Sequence, residues 1–446
     1  MKQEKIQIYA AEYEPINRPS LDNYDNRMEF FLSKIESFNS FNSEEYLKVV
    51  MELSSFLAQV EFNTEKQYPH IDKIIEYLFK VLDTSANSLI YFHIIEIFCT
   101  LIKESKYYFK ILVNNGIVDK IMEKLFTETM NDLFDSVRFK ILILIFKKKK
   151  MKSILSNYIK YEKLTECYCL GHFGPITKLN ILCLLRIYFD ILKNDEHYLF
   201  IKSICSCFQC TDNIDCFNEL ILITCIIAQA NNDNPNLLFE TGLLKFLSEI
   251  DLKLINNDSI VNLLLIYQEC TKISSFINSF DFSFAFKLAL NQNIKISSNS
   301  MALIASIIIN GNDEIQLKCI NDYTMKIIIK GFVNGTNEMK YSAIIIYGNL
   351  CLNLPAEVIS NNFDLSINQY LIEILQTTDN LKFQLLILGV FGSLISKLSP
   401  IGNFYINQLL EESGTIEFLQ NIQVCDNEKQ NIIDSFIKLV SFTNHQ

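Results

Sequence analysis

The chain has 446 residues, 49% of them hydrophobic and 20% charged, with a formal net charge of −11. Only 12 Gly and 7 Pro are present. That is too few turn formers for a β-sandwich or barrel, or for the Gly-rich phosphate loops of most nucleotide enzymes, so a long all-helical protein is expected. The acidity argues against duplex nucleic acid or an anionic membrane surface as the main partner, because both reward basic faces, and it favours a basic protein partner.

Residues 1–40 read as a polar, Tyr- and Asn-bearing lead. Pro15 and Pro19 keep its first part extended and poorly ordered ahead of a short helix around Met28 to Ile35. The first fourteen residues are charged and lack the apolar core of a secretory signal. The longest uncharged apolar stretches, around Leu220 to Ala228 and Leu385 to Ile395, fall short of the ~18 to 20 residues that span a bilayer. A soluble chain of the cytoplasm, the nucleus or both is the expectation. The chain holds 13 Cys. Most sit among Ile, Leu and Phe, as Cys99, Cys183 and Cys225 do, and read as small buried hydrophobes.

From residue 41 to 446 helical apolar spacing takes over, interrupted at short intervals by turn-forming breaks. These are NTEKQYPH, DTSANS, NNG, NNDNPN, NGND and NGTNE, each offering cap or turn chemistry between helices. No stretch alternates as strands joined by hairpin turns do. The breaks recur with a unit of roughly 40 residues. One such unit cannot bury its apolar faces alone, whereas stacked units share a continuous core and present an inner groove that suits a polypeptide better than a small molecule.

Three segments carry a more specific likeness. Tyr91 to Phe126 reads as a long helix, a break, an apolar segment ending at Gly116 and a further amphipathic helix, and Asn234 to Ile250 repeats that phrase around Gly242. Both resemble the armadillo pattern. Asn407 to Phe442, with its LLEESG, IEFLQ and NE elements and a final amphipathic helix, resembles the closing repeat of importin-α. KLSPIGNFYINQ, ahead of it, sits where that family often carries a polar insertion. The resemblance implies an all-α fold, a right-handed α-solenoid of roughly nine to ten armadillo- or HEAT-like repeats. It further implies a non-enzymatic adaptor that binds a cargo polypeptide along its concave groove for nuclear import, with basic cargo and transport receptors as partners and no cofactor. A structural scaffold unrelated to nuclear transport is the alternative.

Importin-α proteins carry Trp on the concave helix, with Asn four residues later. Their rings sandwich basic side chains and their amides hold the cargo backbone. This chain has no Trp. Laid on the pattern, the Trp and Asn positions become Glu96 and Thr100, Ile143 and Lys147, Leu182 and Arg186, Leu303 and Ile307, then Ile345 and Asn349. Glu96, Thr100, Lys147, Arg186 and Asn349 are the groove candidates. Glu96 could attract a basic peptide or be a solvated helix position, and Asn349 could hold a peptide backbone or serve as a cap or polar core residue. The lead also lacks the family's dense basic cluster, offering only Lys2, Lys5, Arg18, Arg27 and Lys34.

Lys147 to Lys150 with Lys152 read as a localisation signal, a patch for an acidic partner, or a solvated helix end that complements the dipole. Cys205, Cys207, Cys210 and Cys216 are too crowded for a structural zinc site with two separated pairs, and Cys167 with Cys169 is no better placed. None of the five His, His70, His93, His172, His197 and His445, lies in a nucleophile, base or metal motif. No metal and no enzymatic activity are expected.

Overall fold

A computed structural model describes residues 20–37, 44–84, 87–125, 132–170, 172–421 and 427–443. Among them every regular element is a helix, and the one β contact is an isolated bridge between Ser20 and Glu61. Ten helices set the period. They are α1 (Glu44–Gln59), α2 (Ser88–Glu104), α3 (Asp132–Phe146), α4 (Pro175–Phe189), α5 (Ile214–Ala230), α6 (Asn257–Cys270), α7 (Ile294–Asn310), α8 (Asn337–Asn353), α9 (Leu381–Leu398) and α10 (Asn427–Thr443). Their first residues follow one another at intervals of 37 to 46. Shorter helices fill each interval.

Two of the breaks read from the sequence, DTSANS and NGTNE, are where long helices start, and the other four lead into the helices between them. Asn87 of DTSANS accepts from the backbone N–H groups of Leu89 and Ile90 at the head of α2, and Thr336 of NGTNE accepts from Met339 N in α8. Asn256, Asn293 and Asn380 cap α6, α7 and α9 in the same way. A short polar side chain supplies an acceptor that the first helical turn lacks, typically worth ~1 kcal/mol.

Between the long helices, Gly116, Gly242 and Gly414 each join two short helices with a positive φ of 75°, 81° and 65°. The left-handed conformation turns the chain sharply at no steric cost to glycine. All three lie in the segments that carry the armadillo and importin-α likeness.

The chain divides into two units, residues 1–220 and 221–446, with the division falling inside α5. In the first, α1 packs on α2, α2 on α3, and α3 on α4; in the second, α6 packs on α7, α7 on α8, α8 on α9 and α9 on α10. Within these two runs the inner long helices, α2, α3, α7, α8 and α9, each lie between a predecessor and a successor. Ala343, Ile344, Ile346, Tyr347, Leu350 and Cys351 of α8 are all buried.

Polar side chains repeat the same period. Lys330 donates to the Ala289 and Asn291 carbonyls at 3.0 and 2.8 Å and to Ser297 Oγ at 2.8 Å. Lys397 donates to Leu354 O at 2.5 Å, Lys272 to Asn232 O at 3.4 Å, and Lys124 to Leu82 O at 3.1 Å. In each case a lysine reaches back about one module to carbonyls at the C-terminal end of a helix, where the helix dipole favours a cation. Partial burial holds Lys330 and Lys397 below the usual lysine range. At a helix start the sign reverses: Asp132 of α3 accepts from the Ile176 and Thr177 N–H groups at 3.3 and 3.0 Å, capping α4.

Within the segment read as a lead, Asp25–Glu36 is helical and contains the expected helix; its Met28, Phe31, Leu32 and Ile35 are buried. Residues 1–19, including Pro15 and Pro19, lie outside the described residues. The reading that no segment could span a bilayer is corrected at one place. Leu381–Ile401 is long and apolar enough to cross by length and composition, with half of its apolar window buried. It carries Lys382 and Lys397 and packs between α8 and α10, which are the contacts of a core helix.

Two glycines test the packing. At Gly331 an added Cβ would stand 2.6 Å from Ala343 Cβ and 2.8 Å from Met301 Cε. Overpacking at such a contact costs about 1–3 kcal/mol, and Gly331→Ala is expected to lower the urea unfolding midpoint accordingly. At Gly389, inside α9, an added Cβ meets nothing within 4 Å. Gly389→Ala is expected to raise stability by about 0.5–1 kcal/mol in the same measurement.

Candidate partner-binding surface

A helix buried between two neighbours still leaves one stripe accessible. Across α2 to α9 the ninth and thirteenth residues mark it: Glu96 and Thr100, Lys140 and Leu144, Cys183 and Ile187, Leu222 and Ile226, Leu265 and Glu269, Ala302 and Ser306, Ile345 and Asn349, Gly389 and Ser393. Among these positions only Ile187 is buried. Four residues separate the members of each pair, one helical turn, so both project from the same face.

This stripe corrects three of the pattern-based placements. Ile143, Leu182, Leu303 and Ile307 are core residues, with Leu182 and Leu303 fully buried. The stripe positions there are Lys140 and Leu144, Cys183 and Ile187, Ala302 and Ser306. Glu96 with Thr100, and Ile345 with Asn349, do lie on it. Lys147 lies one turn beyond Leu144, and Arg186 lies beside Cys183.

In the first unit the stripe is charged but partly self-satisfied. Glu96 Oε2 is 3.2 Å from His93 Nδ1, and the Thr100 hydroxyl donates back to Glu96 O at 3.1 Å. Rings of adjacent helices meet along it, Phe92 and Phe134 with centroids 4.9 Å apart. Arg186 Nε is 2.9 Å from Glu219 Oε1, and the Cys183 thiol donates to the same carboxylate oxygen at 3.8 Å. The structure brings Lys147 to this group: partial burial, then the Arg186 and Lys148 cations, hold its ammonium below the usual lysine range. Burial raises the Glu219 carboxyl above its usual range, and Arg186 only partly offsets it. No sequence signal tied Glu219 to Arg186, because the two lie on different helices.

In the second unit the stripe is nearly free of charge and built from small and aliphatic residues. Asn349 turns its amide nitrogen back to Ile345 O at 2.9 Å. On the first half of α9 lies a shallow apolar depression of about 450 Å³ lined by Leu381, Lys382, Leu385 and Leu386. At its edge Tyr341 of α8 stacks on Phe383, ring centroids 5.8 Å apart, and the Lys382 ammonium sits 4.9 Å from the Tyr341 ring centroid. The sequence reading passed over these residues. An apolar run inside a long helix does not reveal which leucines face outward.

Lys149 and Lys150 are exposed, and Lys152 pairs with Asp190. Twelve of the cysteines are described and none is in a disulfide. Among the described residues no group of three or more His, Cys, Asp or Glu is arranged to hold a metal ion.

No family model matches the chain, and no curated protein matches it. Solved structures do. An engineered protein superposes with a TM-score of 0.66 at 15% sequence identity, covering 92% of this chain and 98% of that one. A designed armadillo repeat protein gives 0.45 at 17% identity over 54% of this chain and 99% of that one. The first likeness extends to the fold and no further: a helical architecture shared over nearly the whole chain.

The Glu219 environment gives a pH test. Because its folded-state pKa is raised, the protonated carboxyl favours the fold, and that contribution is lost as pH rises through the folded value. Glu219→Gln mimics the protonated form at every pH. The variant is therefore expected to gain stability relative to the wild type as pH rises above the ordinary carboxylate range, measured by urea unfolding at each pH.

Proposed function

We propose that this chain is a non-enzymatic scaffold that binds an extended polypeptide along the accessible stripe of its long helices. One observation supports it above others: apart from Ile187, the ninth and thirteenth residues stay accessible on helix after helix, while most residues around them are core. Neighbouring helices pack about 8–10 Å apart, and an extended chain advances about 3.3–3.6 Å per residue. A bound peptide therefore meets a new helix roughly every third residue within each unit. The apolar depression at Leu385 and Leu386, edged by Lys382 over Tyr341, is the place where a partner side chain would be buried, with the aromatic and aliphatic character of an anchor site.

The narrower reading, an importin-α-like adaptor acting between cytoplasm and nucleus with basic cargo and transport receptors, is supported by the LLEESG, IEFLQ and NE phrases near the C-terminus. The stripe weighs against its usual cargo chemistry. No Trp is available, the matching positions are Glu, Lys, Cys, Leu, Ala, Ile and Gly, and Asn349 directs its amide to its own helix. The scaffold reading is therefore preferred.

Affinity purification from the native cell identifies a partner. Replacing Leu385 and Leu386 together by Ser is then expected to weaken that partner at least about tenfold, about 1.4 kcal/mol, with the helical circular dichroism unchanged. Undiminished binding removes the stripe of α9 from the proposal. A Lys- and Arg-rich peptide that bound far tighter than a neutral peptide of equal length would favour the adaptor reading instead.

A further inference from the structure

In the first unit the helices Tyr161–Cys169 and His197–Gln209 belong to successive modules and pack against each other. Their C-terminal ends coincide. The Tyr168 hydroxyl is hydrogen-bonded to Thr211, and Cys169 Sγ lies 3.7 Å from Ser206 O. The last residue of one helix thus stands over the last turn of the other, where Cys207 and Cys210 are three apart and share a face. The Cys210 N–H donates to the same Ser206 carbonyl at 3.2 Å, so Cys169 Sγ and the Cys210 backbone converge on one oxygen.

Most cysteines in the chain are buried hydrophobes, and burial pushes Cys99, Cys270, Cys319 and Cys351 up to about 12. Cys169 goes the other way. Hydrogen bonds from Cys207 and then Cys210, with the Lys178 cation, bring it down to about 6 against the cost of partial burial. Lys178 is held nearby over the Tyr168 ring, 5.5 Å from its centroid. Cys207 is fully buried, whereas Cys169 and Cys210 are both half-exposed. A thiolate with solvent access and a neighbouring thiol is the arrangement of a peroxide-sensitive cysteine with its resolving partner.

We propose that Cys169 is a site of oxidation by hydroperoxides and that Cys210 resolves it as a disulfide joining two consecutive modules. The Cys169 thiolate attacks the peroxide: an S–O bond forms, the O–O bond breaks, and the departing alkoxide or hydroxide takes a proton. Cys169 becomes a sulfenic acid, oxidised by two electrons, as the peroxide is reduced to an alcohol or water. The Cys210 thiol then attacks that sulfur. The S–S bond forms, the S–O bond breaks, and the hydroxyl leaves as water with the remaining proton. In sum, two thiols and one hydroperoxide give one disulfide, one alcohol (or water) and one water. Cys210 is the partner rather than Cys207 because it is the cap residue of its helix and half-exposed, while Cys207 is locked in the helix and core.

The test uses the full reduced chain and no variant at first. Iodoacetamide is added at about pH 6.5, and each cysteine's labelling is followed by peptide mass spectrometry. Cys183 is the internal control: it too is half-exposed, but burial and the Glu219 carboxylate push it up to about 12. Cys169 is expected to label at least about tenfold faster than Cys183. A modest excess of hydrogen peroxide is expected to produce a Cys169–Cys210 cross-linked peptide, lost in both Cys169→Ser and Cys210→Ser. Equal labelling of Cys169 and Cys183 would overturn the proposal. So would over-oxidation of Cys169 to a sulfinic acid with no cross-link, or tightly held stoichiometric zinc that protects all three thiols.

Discussion

Each module of this chain is too small to bury its own apolar surface, and the rest of the structure follows from that shortage. A long helix such as α8 is covered because α7 lies on one side, α9 on the other, and the short helix Thr324–Asn334 packs on it as well. Each large aliphatic or aromatic side chain buried there contributes about 1.5–3 kcal/mol relative to exposure. Stacking then fixes the distances at which polar groups can meet. A lysine finds carbonyls about forty residues behind it because the helices have already been set in register by their apolar faces. Those lysines do not drive the stacking, but they penalise a slipped register, since a slip would leave a partly buried ammonium without its acceptors.

The same arithmetic explains where variable chemistry can reside. Helix ends carry caps, cations and the left-handed glycines, and all of these serve the join between modules. Helix flanks are core. Only the outward stripe is relieved of structural duty, and it differs between the units: charged around Glu96, Lys147 and Arg186, and small and aliphatic apart from Glu269 and Asn349 from α6 to α9. A surface of this kind can change its residues without disturbing the packing between modules.

Much of the fold was readable before coordinates. The Asn- and Thr-bearing breaks are helix caps by simple chemistry, and Gly116 and Gly242 are spaced as a turn between helices requires. The face of each helix was not readable in the same way. In α3, the run from Ile141 to Phe146 is apolar at every position, so no periodic contrast distinguishes buried Ile143 from half-exposed Leu144. Where polar residues punctuate the helix, as in α2 and α8, Glu96, Thr100 and Asn349 stand out as partly accessible positions. The thiol group of Cys169, Cys207 and Cys210 was invisible for another reason. Its members belong to different modules, and a spacing rule that considers Cys205 to Cys216 alone omits the residue that completes it. Arg138 was passed over likewise: fully buried, it reaches Asp135 Oδ1 and Lys124 O, both at 3.3 Å, and stacks over Tyr91, a polar knot that no local pattern announces.

Nearest-neighbour ties also decide how such a chain yields to mechanical load. Lys330, Lys397 and Lys124 each bridge to the module just behind. Under tension, detaching a terminal module breaks one interface and leaves the next with its own bonds intact. Extension proceeds as a series of small releases, giving each unit the compliance of a spring, not the single rupture of a compact globule.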